Sequence, residues 1–185
     1  MAEYYLVSQL PSLDGITENT PVPITTARFW ELCHRFLGKK AQGELERLTL
    51  MPSRTPEKTT SALVEQWNEG ERKLRLALAR LRADKMAKPF PADSQTFPAG
   101  LLQAARTALE IESPMEAEKF LNKYRLDFLE SLRPMDSFSE EFVFYYGLKL
   151  MLIERIRTFD SARGEAAYRN FYHSIMNGDR SEVIQ

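Results

Sequence analysis

Apolar residues recur along most of the chain three and four positions apart, the spacing of a helix with one buried face. In TTARFWELCHRFLGKK, Phe29, Cys33, Phe36 and Leu37 share a face, with Thr25 or Thr26 as N-cap and Gly38 as a stop. A short segment over 42–50 follows and ends before Pro52. Pro56 is suited to the first turn of a long helix near 56–88, on which Leu63, Trp67, Leu74, Leu78 and Leu81 line one side. Pro98 starts a shorter helix through Leu109. SPMEAEKFLNKYRLDFLESLRP has the clearest start: Ser113 and Glu116 form a capping-box spacing and Pro114 takes the first helical position. Ala117, Phe120, Leu121, Tyr124, Phe128 and Leu132 then make a broad apolar face.

The next helix, near 139–159, is apolar almost all round from Phe142 to Ile153, which predicts a buried central helix. Ser137 and Glu140 repeat the capping-box spacing before it. A last helix is expected from about Ala162, carrying Tyr168, Phe171, Tyr172, Ile175 and Met176, and ending near Gly178. Residues 1–24 read as extended or irregular, because Pro11, Pro21 and Pro23 interrupt any helix. Residues 89–98 form a proline-punctuated connection in which Phe90 and Phe97 pack. The expected fold is all-α: a compact helical bundle of about six or seven helices with a short extended N-terminal segment, in a single helical domain over 1–185.

Composition supports such a core. Hydrophobic residues make up 43 % of 185 residues, with 11 Phe, 7 Tyr and 2 Trp, so neither disulfides nor a metal is needed to supply one. Cys33 is the single cysteine, which rules out an intrachain disulfide and leaves no mark of an oxidising compartment. The first fifteen residues lack the basic and apolar regions of a secretory signal, and Phe142–Ile156 is too short to span a bilayer. A cytoplasmic location is expected.

Candidate chemistry is sparse. His34 and His173 lie on different helices, and adjacent Cys33 and His34 point about 100° apart on one, so they form no dyad. Cys33 is expected in the core, beside a partly exposed His34. No CxxC, HExxH, calcium-loop or glycine-rich phosphate-loop spacing occurs. Glu140 and Glu141 fall in a first helical turn, where negative charge meets the positive end of the dipole. The expectation is no catalytic residue, no cofactor and no metal; an enzyme is not indicated.

Lys plus Arg number 25 against 26 Asp plus Glu, a net charge of −1, which does not favour a dedicated nucleic-acid binder. The stretch WNEGERKLRLALARLRADKM is locally basic, yet its cations divide around the apolar face. Arg72, Arg75 and Arg82 flank one side, and Lys73 and Arg80 the other. Glu69–Lys73, Glu71–Arg75 and Arg80–Asp84 are spaced for helical ion pairs. A groove-reading helix needs one face of unpaired cations. Two readings stay open, a solvated bundle face and a protein-docking face built on Arg72, Arg75 and Arg82.

Four stretches, YYLVSQLPSL, GERKLRLALARLRADKM, SPMEAEKFLNKYRLDFLESL and FSEEFVFYYGLKLMLIERI, together resemble an uncharacterised bacterial family encoded within V-type ATPase operons. More distantly they resemble the funnel-shaped, C-type helical subunit of V/A-type rotary ATPases, whose eukaryotic equivalent is the d-type subunit. The second and fourth stretches carry most of the likeness. It implies a non-catalytic coupling or accessory subunit that contacts rotor-ring or central-stalk subunits in ATP-linked ion transport. Such a protein is held at the cytoplasmic face of the membrane through protein partners only. The chain is shorter than the funnel-shaped subunit with its three repeated bundles, so a reduced equivalent or an operon-linked accessory factor is implied. An assembly chaperone or adaptor for ATPase subunits is the alternative, and a helical nucleic-acid binder a third class.

Overall fold

Seven helices, in chain order, account for most of the computed structural model, which describes residues 2–16, 20–90, 96–158, 168–173 and 175. They are α1 (Ala2–Gln9), α2 (Thr26–Phe36), α3 (Lys39–Leu45), α4 (Ala62–Lys85), α5 (Ala99–Glu110), α6 (Pro114–Ser131) and α7 (Glu140–Thr158). Residues 168–173 are also helical, and no strand occurs among the described residues. The all-α bundle expected from the periodicity is what forms.

α7 is its organising element. Every position from Val143 to Leu150 is buried, and the helix packs against α2, α3, α4 and α6. At Gly147 the helix comes so close to α2 and the segment after α3 that an added Cβ would stand 3.0 Å from Phe29 and 3.1 Å from Leu48. Two of its carboxylates cap other helices. Glu141 accepts from Ser61 Oγ at 2.7 Å and from the Leu63 N–H at 3.1 Å, at the start of α4. Glu154 accepts from the Thr26 N–H at 2.9 Å and Thr26 Oγ1 at 2.6 Å, at the start of α2. Donors otherwise orphaned at two helix starts are thus satisfied from a third helix.

The buried apolar side chains form two clusters. The larger gathers Leu6, Phe29, Cys33, Leu45, Trp67 and Leu129 around α7; the smaller joins Leu74, Ala77 and Leu78 of α4 to Leu101 and Ala105 of α5 and Leu121 of α6. α4 and α6 run through both. Between the clusters they meet at Gly70, where any Cβ would overlap the Phe128 ring, itself stacked on Trp67. Here glycine is required by close approach rather than by backbone angle.

Several boundaries differ from expectation. Residues 2–9 are helical, because the prolines that break helices lie at 11 and beyond, and Leu6 is fully buried in the larger cluster. α4 starts after Ser61, not at Pro56: Ser61 Oγ accepts from the Val64 N–H at 3.1 Å, and residues 51–60 stay non-helical. The segment expected over 42–50 is instead α3; α2 does stop just before Gly38, which at φ −68° also serves as the N-cap of α3. Ser139, not Ser137, caps α7, accepting from the Phe142 N–H at 3.2 Å. Thr25 and Ser113 cap α2 and α6 as their spacing foretold. Phe97 packs on the smaller cluster and Phe90 is half-buried; residues 91–95 lie outside the described residues. So do Ala162, Met176 and Gly178 of the expected last helix, whose Tyr168, Phe171, Tyr172 and Ile175 are exposed.

Candidate functional site

Arg72, Arg75 and Arg82 all stand on α4, but the structure separates their roles. Arg75 donates from Nη1 to the Pro52 carbonyl at 3.0 Å, tying the helix to the connection after α3. It has no pairing with Glu71, because Glu71 points inward to Arg125 of α6. The guanidinium donates through Nε to Oε2 at 3.0 Å and through Nη2 to Oε1 at 3.1 Å. A bidentate fork outcompetes the exposed i,i+4 pairing expected from spacing. Arg82 is exposed in the last turn of α4, and Arg72 is partly exposed one turn before Arg75. Neither forms a salt bridge among the described residues. Glu69 and Lys73 do pair at 2.5 Å, and that hydrogen bond holds the Glu69 carboxyl below its ordinary pKa.

Arg72 borders a small polar cleft between α4 and the connection over 46–61. Arg47, Lys58, Asn68, Glu44 and Glu57 also line it, around a cavity of about 40 Å³. The cleft is shaped by its own hydrogen bonds. Burial pushes the Glu44 pKa up, but the Thr59 hydroxyl at 2.5 Å and the Thr60 N–H at 3.2 Å outweigh it and hold the carboxyl below its ordinary value. Arg47 Nη1 donates to the Lys58 carbonyl at 3.5 Å, Ser53 donates to Glu57 at 2.9 Å, and Trp67 Nε1 donates to the Thr49 carbonyl at 3.0 Å. The Asn68 Oδ1 is buried and accepts from no donor.

Elsewhere the polar groups are structural. The Arg125 network continues through Glu118, which accepts from Arg125 Nη1 at 3.2 Å and from Arg155 Nη2 at 2.6 Å. Lys149 of α7 is buried and donates to Asp14 at 2.7 Å and pairs with Glu130 at 2.7 Å. Burial opposes its charge, but both carboxylates outweigh that and raise the lysine pKa. Burial and Glu130 push the Tyr145 hydroxyl up to about 12.

The sequence singled out neither buried cation as a partner in the fold. On α6 the expected apolar face is only partly right: Asn122 and Arg125 are more buried than Phe120, Tyr124 and Phe128. No local signal marks Arg125, since its carboxylate lies 54 residues away. Cys33 is fully buried, as expected, and burial pushes its thiol up to about 12, far from a thiolate nucleophile at neutral pH. His34 is exposed. Among the described residues, no three His, Cys, Asp or Glu side chains converge to hold a metal, and no helix is long and apolar enough to cross a membrane.

What the geometry provides is a set of cations beside a polar cleft on a helix anchored in two cores. Over part of its length, residues 101–179, the chain matches a family described as a protein of unknown function (DUF2764). That match begins within α5, spans α6 and α7, and leaves out the cleft and α4. No curated protein and no solved structure matches the chain.

Proposed function

We propose that the protein is a non-catalytic coupling or accessory subunit of a bacterial V/A-type rotary ATPase. In this reading it docks on rotor-ring or central-stalk subunits and stays at the cytoplasmic face of the membrane through those partners alone. The identity of the complex rests on the sequence resemblance of the four stretches around Leu6, Leu78, Phe120 and Leu148. The observation that carries docking is the state of Arg72 and Arg82: partly exposed and exposed, without salt bridges among the described residues, on a helix whose opposite side is fixed in both apolar clusters. Charges held on a rigid support favour register and fast encounter with an acidic surface. Arg75 belongs to the support, since its guanidinium is engaged with Pro52.

A second exposed patch suits the same role. Tyr4 stacks on Phe138 at 4.6 Å between ring centroids, with Tyr5 and Met135 exposed as well. Exposed apolar side chains rimmed by charge are a usual mark of protein contact.

The test is reversal of Arg72 and Arg82 to Glu. Exposed charges contribute little to stability, so the melting curve should stay nearly unchanged. Co-purification with the ATPase should fall, and the wild-type association should weaken as salt rises. Recovery of the protein in the intact complex supports a permanent subunit; its presence only with incomplete assemblies supports the chaperone or adaptor. Undiminished co-purification of the double variant at low salt would remove the basic edge from the interaction.

A further inference from the structure

The cleft beside Arg72 has properties that the exposed edge alone does not explain. It is built from one continuous stretch of chain that folds back on itself: the end of α3, the connection over 46–61 and the first three turns of α4. Three cations, Arg47, Lys58 and Arg72, border it, against two carboxylates, Glu44 and Glu57. Both carboxylates already accept hydrogen bonds from the connection itself, Glu44 from Thr59 and Thr60 and Glu57 from Ser53. The guanidinium of Arg72 has no such engagement. Asn68 adds a buried acceptor, its Oδ1, with no donor within reach. That oxygen is closed to solvent, so Asn68 serves as a wall of the cleft rather than as a contact for a docking segment.

Size narrows the ligand. A single water needs about 10–15 Å³ by the same measure of volume, so a cavity of about 40 Å³ holds some three heavy atoms. That is the size of a carboxylate group. A phosphate group, with five heavy atoms, is a tighter fit.

We infer that this cleft receives the carboxylate of an acidic side chain from a partner protein, gripped by Arg72 with Arg47 and Lys58, with Asn68 as part of its wall. A planar carboxylate matches the guanidinium fork, and a fixed pocket for one acidic residue sets the register that a diffuse basic edge does not. This deepens the docking reading and rests on it for the partner, but not for the existence of the pocket.

The experiment is a nuclear magnetic resonance titration of the full chain with N-acetyl-glutamate methylamide and N-acetyl-aspartate methylamide. N-acetyl-glutamine methylamide, inorganic phosphate and ATP serve as comparisons. Saturable shifts at the Arg72 Nε–H and Asn68 side-chain amide are expected with an acidic probe, with a Kd in the millimolar range for so small a ligand. Arg72→Gln should weaken binding at least several-fold, and Asn68→Asp should abolish it by repulsion. Arg72→Lys, which keeps the charge but loses the fork, should fall between wild type and Arg72→Gln. Lys123→Gln, the same charge change at an exposed site on α6, should leave it unaltered.

Equal shifts with the glutamine probe, tighter binding of phosphate or ATP, or no saturable shift with either acidic probe would each overturn the pocket. The two readings also fail separately. A null titration with salt-sensitive co-purification removes the pocket and keeps the edge. A positive titration without co-purification keeps the pocket and moves the protein to a different partner.

Discussion

Among the described residues the bundle buries two cations, and they sit in opposite surroundings. The Arg125 side chain is 8 % exposed and its principal partner, Glu71, only 3 %. Lys149 is buried to a similar degree, 9 % exposed, but its carboxylates are not: Asp14 is 58 % and Glu130 39 % exposed. At the first site both charges have left water, so each depends on the other. At the second the anions keep much of their hydration, and only the lysine depends on its partners. The location of the charges follows from the fold. Arg125 and Glu71 lie where α4 and α6 pass from one apolar cluster to the other, enclosed on every side, whereas Lys149 reaches from α7 toward the surface connection after α1. Burial of one partner therefore says little about the strength of a pair; burial of both decides it.

Removing Arg125 should have the largest effect. Arg125→Ala leaves Glu71 buried without a counter-ion and is expected to cost about 3–5 kcal/mol in urea unfolding. Replacing both partners, Glu71→Leu with Arg125→Met, removes the charge problem and should recover most of that loss, because shape is roughly kept. A loss under about 1 kcal/mol for Arg125→Ala would place the pair in the range of exposed ion pairs and erase the contrast with Lys149.

A smaller effect is expected at the same junction from Gly70→Ala. The new methyl meets the Phe128 ring, and overpacking costs about 1–3 kcal/mol. Alanine gives back about 1 kcal/mol of helix propensity, for a net loss near 1 kcal/mol. Phe128 is only partly buried and stacks on Trp67, so how far its ring yields sets the size of the loss. A shift of the urea midpoint to lower concentration, smaller in a Phe128→Leu background, would locate the cost at this contact. A gain in stability would show that the ring yields freely and that the junction is held by charge alone.

This contrast marks the boundary of what the sequence makes legible. Long-period features were readable: the buried α7 from its unbroken apolar run, the faces of α2 and α4 from their spacing, and the Ser113 cap from Ser-Pro with Glu116. Each depends on residues within a turn or two. α1 was not readable, since eight residues carry little helical signal and the helix is fixed by packing of Leu6 in the core. The start of α4 was expected at Pro56; it lies instead at Ser61, whose hydroxyl caps the helix and is held by Glu141, 80 residues away. The same holds for the candidate site. Arg72, Arg75 and Arg82 looked equivalent on a wheel, but Pro52, met through folding, occupies one of them. Arg47, Lys58 and Asn68 carried no periodic pattern, because the cleft exists only once the irregular connection over 46–61 folds back against α4.

The smallest stability effect is expected at the Lys149 site, and its pH dependence distinguishes it. The Lys149 hydrogen bond is the largest cause of the lowered Asp14 pKa, with Arg133 adding a weaker pull. A carboxyl whose folded pKa is depressed stabilises the fold above its unfolded value, near 3.8, and loses that contribution as pH falls through the folded value. Lys149 has the opposite sign: its pKa is raised, so its contribution is complete below about 10.5, its ordinary value, and is lost as pH rises through the folded value. The Asp14–Lys149 contact therefore acts across the whole window between those limits. Since Asp14 is largely solvated and Lys149 retains Glu130, Asp14→Asn should cost less than about 1 kcal/mol at neutral pH. The difference between the variant and the wild type should stay level across neutral pH and shrink below pH 3.8, where wild-type Asp14 also becomes neutral. Urea unfolding at a series of pH values reads both quantities. A loss as large as that from Arg125→Ala would mean that Asp14 is the lysine's indispensable partner and that exposure of the anion does not weaken the pair. A difference that persists unchanged in acid would show that Asp14 acts through the shape and hydrogen bonding of its side chain, such as the bond it accepts from Lys149, rather than through its charge.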